Sequence, residues 1–560
     1  MSIAAHAMTR PLEVAAPRTE HAAGSPVFTS RICVLIVTWN RRETLAKVLQ
    51  SIARQTYTPG LIDVVIVDNA GTDGTLDDLC ARFNPERVVD NDTNRAHEPK
   101  FQSPRRRSWS AGGNDTPNTL GLGSISVVRN RENMGGCGGF NTGFAFTEHW
   151  FGKPGLGGPD FVWLVDDDAD VASDTLEQLH RAMETDPKIG LVGSRTVDIA
   201  EPTRTIETTI YFNPLTGGMQ DDAPREHAQY DAHQRWIAVS GGTRGTGPFT
   251  GLMDVDVVSA CSILARWSAV LGTPQRKGVG FWDARYFIYC DDADWCLRFR
   301  QAGWRVVLNL DAVVYHTPWN LKLTPARIYY ANRNRIWMAH KVLPENLLRP
   351  VTWQTLRSLL TDARHAAFCR RAFHSRIILQ TALDVVKGVS GKTGSDGPAP
   401  EGVVEAFESV GALSPDKTVV VMCFGPESPK HLDALRKHLE QHAPGRVPRL
   451  LPIVRNTVLD APPGAIVYGG RVASRLKRQL WVIPRCAVAA VVFDQANDFP
   501  VLLGVGYNIH IDTRRPTLAQ VERDGWAVRF RFMGAWVRAW VACRRYAAGI
   551  KPYKSESRYG

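Results

Sequence analysis

The chain has 560 residues, of which 44% are hydrophobic and 22% charged, as in a globular protein with more than one domain. Its net charge of +11 and pI of about 9.2 favour anionic partners: nucleotide diphosphates, phospholipid surfaces or nucleic acid. No apolar run reaches the roughly 18 residues that span a bilayer. Residues 1–29 lack the apolar region of a signal peptide and are predicted to be a disordered arm. Ten cysteines without a CxxC pair indicate reduced thiols in the cytosol.

The first predicted elements are a strand, a helix and a second strand, which begin an α/β sheet. Residues 32–37 are a continuous apolar run, as in a buried parallel strand. The apolar residues of 45–52 lie on one face of a helix, and 64–67 form a second buried run that ends at Asp68. Because open α/β sheets bind ligands at the carboxyl ends of their strands, a site is expected at this edge.

A polar stretch and a glycine cluster follow. Residues 86–123 are predicted to be a long surface insertion, and residues 125–128 to be a strand. The cluster of glycines between 135 and 139 lets the backbone approach a bulky ligand closely. It lacks the GK[ST] ending of a phosphate-binding loop, so a flexible turn between a strand and a helix explains it equally well.

Three consecutive carboxylates, Asp166, Asp167 and Asp168, follow the strand predicted at 161–165. Acids at the end of a buried strand are costly unless a cation neutralises them. In an extended segment Asp166 and Asp168 project to the same side and can converge on one ion, and carboxylate oxygens suit Mg²⁺ or Mn²⁺. A strand end that is solvated at a loop explains the same triplet.

A second acidic cluster, Asp291, Asp292 and Asp294, precedes a helix predicted at 295–302. The helix dipole favours acids at this position, but a cap needs only one of them. One of these carboxylates is therefore a candidate general base for an acceptor hydroxyl. His316, beyond a strand predicted at 305–308, is a candidate third metal ligand, although a lone histidine is more often structural.

The other predicted elements are helices at 174–185 and 267–271, a strand at 255–264, and an irregular, glycine-rich segment at 200–250. In chain order the sequence predicts a main domain over 30–325, a helical extension over 326–390, a linker over 391–400 and a small α/β domain over 401–560.

The last domain ends in a basic, tryptophan-rich helix that begins at Trp526. Some helices of this composition lie in a membrane interface. Others pack on their own domain with a solvated basic face. The sequence leaves both interpretations open.

Taken in order, these pieces resemble the family 2 glycosyltransferases, which have the GT-A fold, over about residues 30–390. The matching segments are 37–40, 67–75, 166–168, 287–298 and 303–316. Residues 133–140 resemble the NxGGxGGF loop of bacterial galactofuranosyltransferases, and 330–335 resemble their aromatic-x-x-Arg-Asn-Arg segment. The related rhamnosyltransferases share much of this frame.

The resemblance implies a role for each matched residue. Asp166, Asp168 and His316 would hold Mn²⁺ or Mg²⁺, and Asp292 would be the general base with Asp291 beside it. Which of this pair takes the proton stays open, since two neighbouring carboxylates push their pKa values apart. The nucleotide-sugar donor would be bound by Thr38, Asn40, Asp68, Asn133, Gly135, Gly136, Gly138, Gly139 and Asp167.

The sequence therefore predicts an α/β, GT-A-type, metal-dependent glycosyltransferase, and the family resemblance implies that the reaction inverts configuration. The favoured reaction moves galactofuranose from a nucleotide-diphosphate donor to a glycan or polyprenyl-linked glycolipid during cell-envelope polysaccharide synthesis. A rhamnosyltransferase that uses dTDP-rhamnose is the closest alternative. A nucleotidyltransferase is disfavoured because residues 39–42 contain no glycine-rich loop. A non-catalytic sugar-binding scaffold is disfavoured because all the acidic positions are present. The expected location is cytoplasmic, with peripheral contact to the inner face of the cell membrane and no nucleic-acid partner.

Overall fold

The computed structural model describes residues 28–93, 95, 98–102, 118–319, 324–393, 400–425, 427–455, 461–481, 487–493, 499–513 and 515–553. Every helix within these ranges is too short or too polar to span a membrane. None of the nine cysteines among the described residues forms a disulfide. The described residues build a large N-terminal sheet, a group of three helices and a smaller C-terminal sheet.

The N-terminal part is an eleven-stranded mixed sheet with helices on both faces and two small hairpins beside it. Its strands are β1 (Ile32–Thr38), β2 (Ile62–Asp68), β3 (Arg87–Asp90), β4 (Ser124–Arg129), β5 (Phe161–Val165), β6 (Asp170–Val171), β7 (Ile189–Asp198), β8 (Thr205–Glu207), β9 (Tyr211–Asn213), β10 (Gly218–Gln220), β11 (Leu252–Asp254), β12 (Ser262–Arg266), β13 (Gly272–Thr273), β14 (Arg276–Lys277) and β15 (Arg305–His316). Its helices are α1 (Arg42–Ala53), α2 (Thr75–Phe83), α3 (Gly135–Trp150), α4 (Thr175–Thr185), α5 (Tyr230–Ser240), α6 (Trp267–Leu271) and α7 (Asp291–Gln301).

Strand order places β1 near the middle of this sheet. The order is β11-β15-β7-β12-β5-β1-β2-β4-β3, with β6 paired to β15 and β8 paired to β7. Strand β1 lies parallel to both of its neighbours, β2 and β5, and core layers cover both of its faces. Cys33 and Leu35 point into the core layer that contains α3 and α7, and Ile32 and Val34 into the layer of α1, α2 and α4. This two-sided burial is the reason that β1 is apolar throughout.

Two segments that the sequence predicted to be irregular contain regular structure. Residues 87–90, inside the predicted insertion at 86–123, form β3 and pair in parallel with β4; residues 103–117 lie outside the described part of the chain. The segment 200–250 contains β8, β9, β10 and the helix α5. These strands have three or four residues each, too few for a periodic pattern to be recognised in the sequence.

Two predicted boundaries are also wrong. The strand predicted at 255–264 is β12, Ser262–Arg266, because the preceding apolar residues Val255, Val257 and Val258 are buried in a loop. The helix predicted from Trp295 begins at Asp291. A hydrophobicity pattern does not distinguish buried loop residues from a strand, and it does not detect a first helical turn that consists of acids.

The second part of the chain consists of a helical group and a seven-stranded sheet. The helical group is α8 (Pro325–Val342), α9 (Glu345–Phe368) and α10 (Ala372–Lys387). The C-terminal elements are β16 (Glu401–Gly402), α11 (Val403–Ser409), β17 (Thr418–Cys423), α12 (Ser428–His442), β18 (Arg449–Val454), β19 (Ile466–Val467), α13 (Val472–Trp481), β20 (Ala487–Phe493), β21 (Tyr507–Ile511), β22 (Leu518–Arg523) and α14 (Trp526–Gly549). The sheet order is β16-β22-β21-β20-β17-β18-β19.

The last helix, α14, packs on the helical group. Its inward side chains Phe532, Ala539 and Cys543 belong to one buried cluster with Leu356 of α9 and Ile378 of α10. The indole of Trp536 donates to the Leu360 carbonyl at 2.7 Å. The expectation that α14, if packed, would pack on its own small domain is therefore wrong for this face of the helix.

Candidate active site

One edge of the large sheet collects the predicted acidic residues. Strands β1, β2 and β5 are parallel. Strand β15 runs in the same direction as β5, because it is parallel to β7 while β12 is antiparallel to both β7 and β5. The carboxyl ends of these strands therefore lie on the same edge, where Asp68, Asp166 and His316 follow or end their strands.

The acidic triplet after β5 forms a turn. The Ala169 amide donates to the Asp166 carbonyl at 3.2 Å, and the Asp166 amide donates to the Cys261 carbonyl at 3.4 Å. The prediction of an extended segment is wrong, because a turn is needed for the chain to continue into β6, which pairs with β15. The turn nevertheless brings Asp166 and Asp168 to the same imidazole.

His316 and two carboxylates form a compact cluster of candidate metal ligands. The His316 Nε2 atom lies 3.1 Å from Asp168 Oδ1 and 3.3 Å from Asp166 Oδ2. One ligand atom from each of the three residues lies within 4.8 Å of the other two. Two carboxylate oxygens and one imidazole nitrogen suit Mn²⁺ or Mg²⁺. The Asp166 side chain is 35% exposed, so a cation can reach the cluster from solvent.

The middle acid of the triplet, Asp167, has a different environment. Burial and the neighbouring Asp168 carboxylate raise its pKa to about 7, against the opposing effects of Thr38 and Arg41. The Arg41 guanidinium lies 3.3 Å from Asp168 Oδ2 and 4.0 Å from Asp167 Oδ1. The Arg41 guanidinium thus lies beside the second and third acids of the triplet, while His316 contacts the first and third.

The second acidic pair begins α7. Tyr289 and Cys290, immediately before it, have φ values of 71° and 60°, a left-handed conformation that costs non-glycine residues free energy. The fully buried side chain of Asn334 donates to the carbonyls of Ile288 and Tyr289, at 2.8 and 2.9 Å. Arg333 Nε in turn donates to Asn334 Oδ1 at 3.0 Å. The Arg-Asn pair of the 330–335 segment therefore holds the strained turn that presents Asp291 and Asp292.

Backbone donors fix the position of Asp292. Its Oδ1 accepts from the Ala293 amide at 2.7 Å and its Oδ2 from the Ala260 amide at 3.2 Å. Since the Cys261 carbonyl accepts from the Asp166 amide, consecutive residues of one loop contact both acidic groups. The predicted metal ligands and the predicted base consequently share one cleft.

Burial gives this pair unusual proton affinity. Desolvation and then the Asp292 carboxylate raise the pKa of Asp291 to about 8. Desolvation also raises the pKa of Asp292, with Asp166 adding to the shift and the two backbone amides opposing it. Carboxylates whose pKa values are raised in this way bind protons more tightly than ordinary aspartates do, which suits a group that exchanges a proton with substrate.

The third acid of this cluster is structural. Asp294 is fully buried and pairs with Arg298 at 2.9 Å and with Lys341 at 2.8 Å. Lys341 also contacts the Asp283 carboxylate. Because Asp294 is neutralised inside the core, it does not add negative charge to the cleft.

The glycines of the cluster at 135–139 have two different structural roles. A Cβ at Gly135, whose φ is 73°, would lie 1.9 Å from the Phe287 carbonyl oxygen, and a Cβ at Gly136 would lie 3.9 Å from Asp291 Oδ2. These two glycines start α3 beside the acidic pair. A Cβ at Gly139 would lie 2.3 Å from Val37 Cγ1, so that glycine allows α3 to pack closely on β1. Gly138 is likewise buried within the helix.

The polar residues at the other strand ends organise loops. Asp68 Oδ1 accepts from the Gly71 amide at 2.9 Å, and Asn40 Oδ1 from the Thr72 amide at 2.7 Å. Asn133 Oδ1 accepts from the Gly135 amide at 2.8 Å. Thr38 is 1% exposed at the end of β1. These contacts shape the rim of the cleft on the side of β1 and β2, where the donor nucleotide was predicted.

Sequence reasoning missed Glu207, which ends β8. Burial and then the charge of Asp292 raise its pKa to about 7, while His316 lowers it. Glu207 therefore interacts electrostatically with Asp292 and His316 and is another carboxylate of the cleft. It lies in a segment without periodicity or recognisable motif, so only its tertiary position identifies it.

Two family profiles match the chain. The profile described as "Glycosyl transferase family 2" matches residues 33–98, and that described as "Glycosyltransferase like family 2" matches residues 122–338. Together they cover about half of the chain and contain every predicted site residue. No curated protein matches the sequence.

Among solved structures the similarity is weak. A mannosyltransferase, PcManGT from Pyrobaculum calidifontis in complex with GDP-Man and Mn²⁺, is 15% identical with a TM-score of 0.34, and the alignment covers 69% of this chain and 80% of that one. TarS 1–349 of S. aureus in complex with UDP-GlcNAc is 13% identical with a TM-score of 0.35, covering 64% and 81%. At these scores neither structure bears on the substrate of this chain.

The chain belongs to glycosyltransferase family 2. Its mixed sheet flanked by helices is the GT-A arrangement predicted from the sequence. It is a transferase with a carboxylate–imidazole cluster that suits a divalent metal ion.

Proposed function

We propose that this protein is an inverting glycosyltransferase that moves galactofuranose from a nucleotide-diphosphate donor to a hydroxyl of a glycan or polyprenyl-linked glycolipid. The observation that carries the proposal is the shared cleft. Asp166, Asp168 and His316 form one half of it, and Asp291 and Asp292 the other. A cation and a base in one cleft are what transfer from a diphosphate donor to a hydroxyl requires.

Asp292 is the proposed general base. The amides of Ala260 and Ala293 hold both of its oxygens, so its carboxylate has a fixed direction. Its raised pKa makes its carboxylate a stronger base than an ordinary aspartate, which favours proton removal from an acceptor hydroxyl. The activated hydroxyl would attack the anomeric carbon on the face opposite the diphosphate, and configuration would invert.

The other residues position the donor. Thr38, Asn40 and Asp68 line the rim proposed for the base and ribose. Gly136 leaves room beside Asp291 for the sugar, and Gly135 allows the start of α3 to approach the Phe287 carbonyl. A divalent cation held by Asp166, Asp168 and His316 would supply Lewis-acid neutralisation of the departing diphosphate. The proposed donor role of Gly138 and Gly139 is indirect, since their burial places them in the packing of α3 on β1.

The preference for galactofuranose rests on the segment 133–140, which resembles the loop of galactofuranosyltransferases. Within this segment Gly136 lies beside Asp291 of the acidic pair, where the transferred sugar would be held. We further propose that the catalytic domain spans 30–325, with a helical extension over 326–390 and an accessory domain over 401–560. The enzyme would act in cell-envelope polysaccharide synthesis at the inner face of the membrane.

The test is a donor comparison with Mn²⁺ present. UDP-galactofuranose and dTDP-rhamnose are offered separately with a polyprenyl-linked glycan acceptor, and Asp292→Asn protein is the control. Faster transfer from UDP-galactofuranose is expected. Faster transfer from dTDP-rhamnose would assign the chain to the rhamnosyltransferases, and turnover by Asp292→Asn at the wild-type rate would remove the proposed base.

A further inference from the structure

Helix α14 has one buried face and one exposed apolar face. The buried face packs on α9 and α10. On the opposite face Phe530 is 73% exposed, Val537 53%, Val541 39% and Trp526 37%. Large apolar side chains exposed together on one helix face indicate a surface that binds something apolar.

A basic stripe borders this apolar face. Arg531, Arg538 and Arg545 are exposed and seven residues apart, so they lie on one side of the helix. Arg544 is also exposed, and α14 contains no acidic residue. Within the described part of the chain, none of these four arginines has an ion-pair partner.

The basic surface continues onto the neighbouring helix. Helices α9 and α14 run antiparallel, as shown by the edge-to-face contact of Trp353 with Trp540 and by the Trp536–Leu360 hydrogen bond. Arg349 and Arg357 of α9 are exposed. The two helices therefore form a layer with arginines distributed over its outside.

We propose that the exposed face of α14 binds the surface of a bilayer that contains anionic phospholipid. Apolar side chains would enter the boundary between headgroups and acyl chains, and the arginines would pair with lipid phosphates, as in interfacial amphipathic helices. A two-fold dimer through this face would bring the arginine stripes of two copies together, which like-charge repulsion opposes. Nucleic acid would leave Phe530 and Val537 without an apolar partner.

The chain after α14 connects this surface to the active site. The Lys551 carbonyl lies 2.7 Å from His340 Nε2, and the Tyr553 hydroxyl 3.1 Å from Arg285 Nη2. Arg285 belongs to the segment that leads to Tyr289 and the acidic pair. A helix anchored at a bilayer would thus hold the cleft near lipid-linked substrates, a consequence that rests on the proposed function.

The test is flotation of the full chain with vesicles of phosphatidylcholine alone or mixed with phosphatidylglycerol. The wild type is expected to float with the mixed vesicles and to bind those of phosphatidylcholine much more weakly. Replacing all three stripe arginines by glutamine (R531Q, R538Q and R545Q) should lower partitioning about 100-fold, at roughly fivefold per charge. Phe530→Glu with Val537→Glu should lower it about tenfold or more.

Two control variants make the same kinds of substitution at other exposed positions. Val239→Glu changes an apolar residue of α5 that is 75% exposed, and R225Q, R235Q and R471Q together remove three exposed arginines. Both controls should float like the wild type. Equal flotation of the stripe variants and the wild type would overturn the proposal, as would a dimer in solution that the α14 variants dissolve.

Transferase activity on a soluble short-chain acceptor separates this proposal from the proposed function. The α14 variants should keep that activity, because they leave the cleft untouched. Flotation without any transferase activity would remove the proposed function and leave the membrane surface standing.

Discussion

Two groups of buried acids in this protein have opposite electrostatic environments. In the cleft, Asp291 and Asp292 repel each other, and burial raises both pKa values. Between the helical group and the C-terminal sheet, Asp524 lies 3.2 Å from Arg529 and 3.5 Å from Arg370. Burial alone would raise the pKa of Asp524, but these two arginines lower it.

The difference separates an acid that is paired inside the fold from the acids that we propose for catalysis. In the Asp524 cluster one carboxylate is paired with two arginines. Arg370 also donates to the Leu503 carbonyl and to Asn508, which joins the two parts of the chain. Among the described residues, the cleft brings several carboxylates close together, an arrangement that costs stability unless cations or protons compensate it.

The largest expected effect is on catalysis by Asp292→Asn. Loss of the base should lower kcat by about 10²- to 10⁴-fold while leaving donor affinity close to that of the wild type. The melting temperature should change little, because relief of the repulsion with Asp291 offsets the loss of one of the two hydrogen bonds from backbone amides, which a side-chain amide nitrogen cannot accept. Steady-state kinetics and thermal melting measure the two effects. A large fall in melting temperature would place Asp292 among the structural acids.

Asp524→Asn should show the reverse behaviour. Removing the carboxylate leaves Arg370 and Arg529 buried without a counterion, which costs about 3–5 kcal/mol of unfolding free energy. Urea denaturation measures that loss, and kcat per folded molecule should stay near the wild-type value. Unchanged stability would mean that the two arginines are compensated by other groups and that the comparison fails.

Asn334→Ala should have an intermediate effect. It removes both side-chain donors from the carbonyls of Ile288 and Tyr289, at a cost of about 1–3 kcal/mol, and the left-handed turn before Asp291 should relax. We expect kcat to fall roughly tenfold. Asn141→Ala is the matched control, since Asn141 is equally buried and bonds the backbone of Trp282 through both its amide nitrogen and oxygen. An equal loss of kcat in both variants would reduce Asn334 to a general stabilising residue.

The smallest expected effect is a pH shift in Asp291→Asn. Removing a neighbouring negative charge lowers the pKa of Asp292, so the acidic limb of the kcat/KM profile should move to lower pH by about one unit. Activity would then persist at pH values where the wild type has become protonated. A loss of activity at every pH would instead make Asp291 the base.

The sequence was sufficient to predict the fold class and the acidic residues, because both have local signals. Continuous apolar runs predicted β1 and β2, and the carboxylates at 166–168 and 291–292 follow a strand end and start a helix. Local patterns do not contain tertiary contacts. Three features could not be predicted for this reason: the position of Glu207, the turn at 166–168, and the support of the acidic loop by Asn334. Each depends on residues more than 40 positions away in sequence, or on short elements without a periodic hydrophobic pattern.

The same reason explains the error over α14. Its amphipathic pattern predicted a buried and an exposed face, which the structure has, but the identity of the packing partner is not encoded in that pattern. The partner is the helical group at 345–387, more than a hundred residues earlier in the chain.

The most direct test of the account is calorimetric titration of Mn²⁺ into the protein in the presence of UDP. The account predicts one bound ion in the wild type, and a loss of affinity of more than about 100-fold when Asp166→Asn and Asp168→Asn are combined. The control combines Asp433→Asn in α12 with Glu427→Gln, immediately before α12. Both acids are exposed, and this variant should bind Mn²⁺ like the wild type. Wild-type Mn²⁺ affinity in the Asp166/Asp168 variant would contradict the central claim that the carboxylates of the cleft bind a divalent cation.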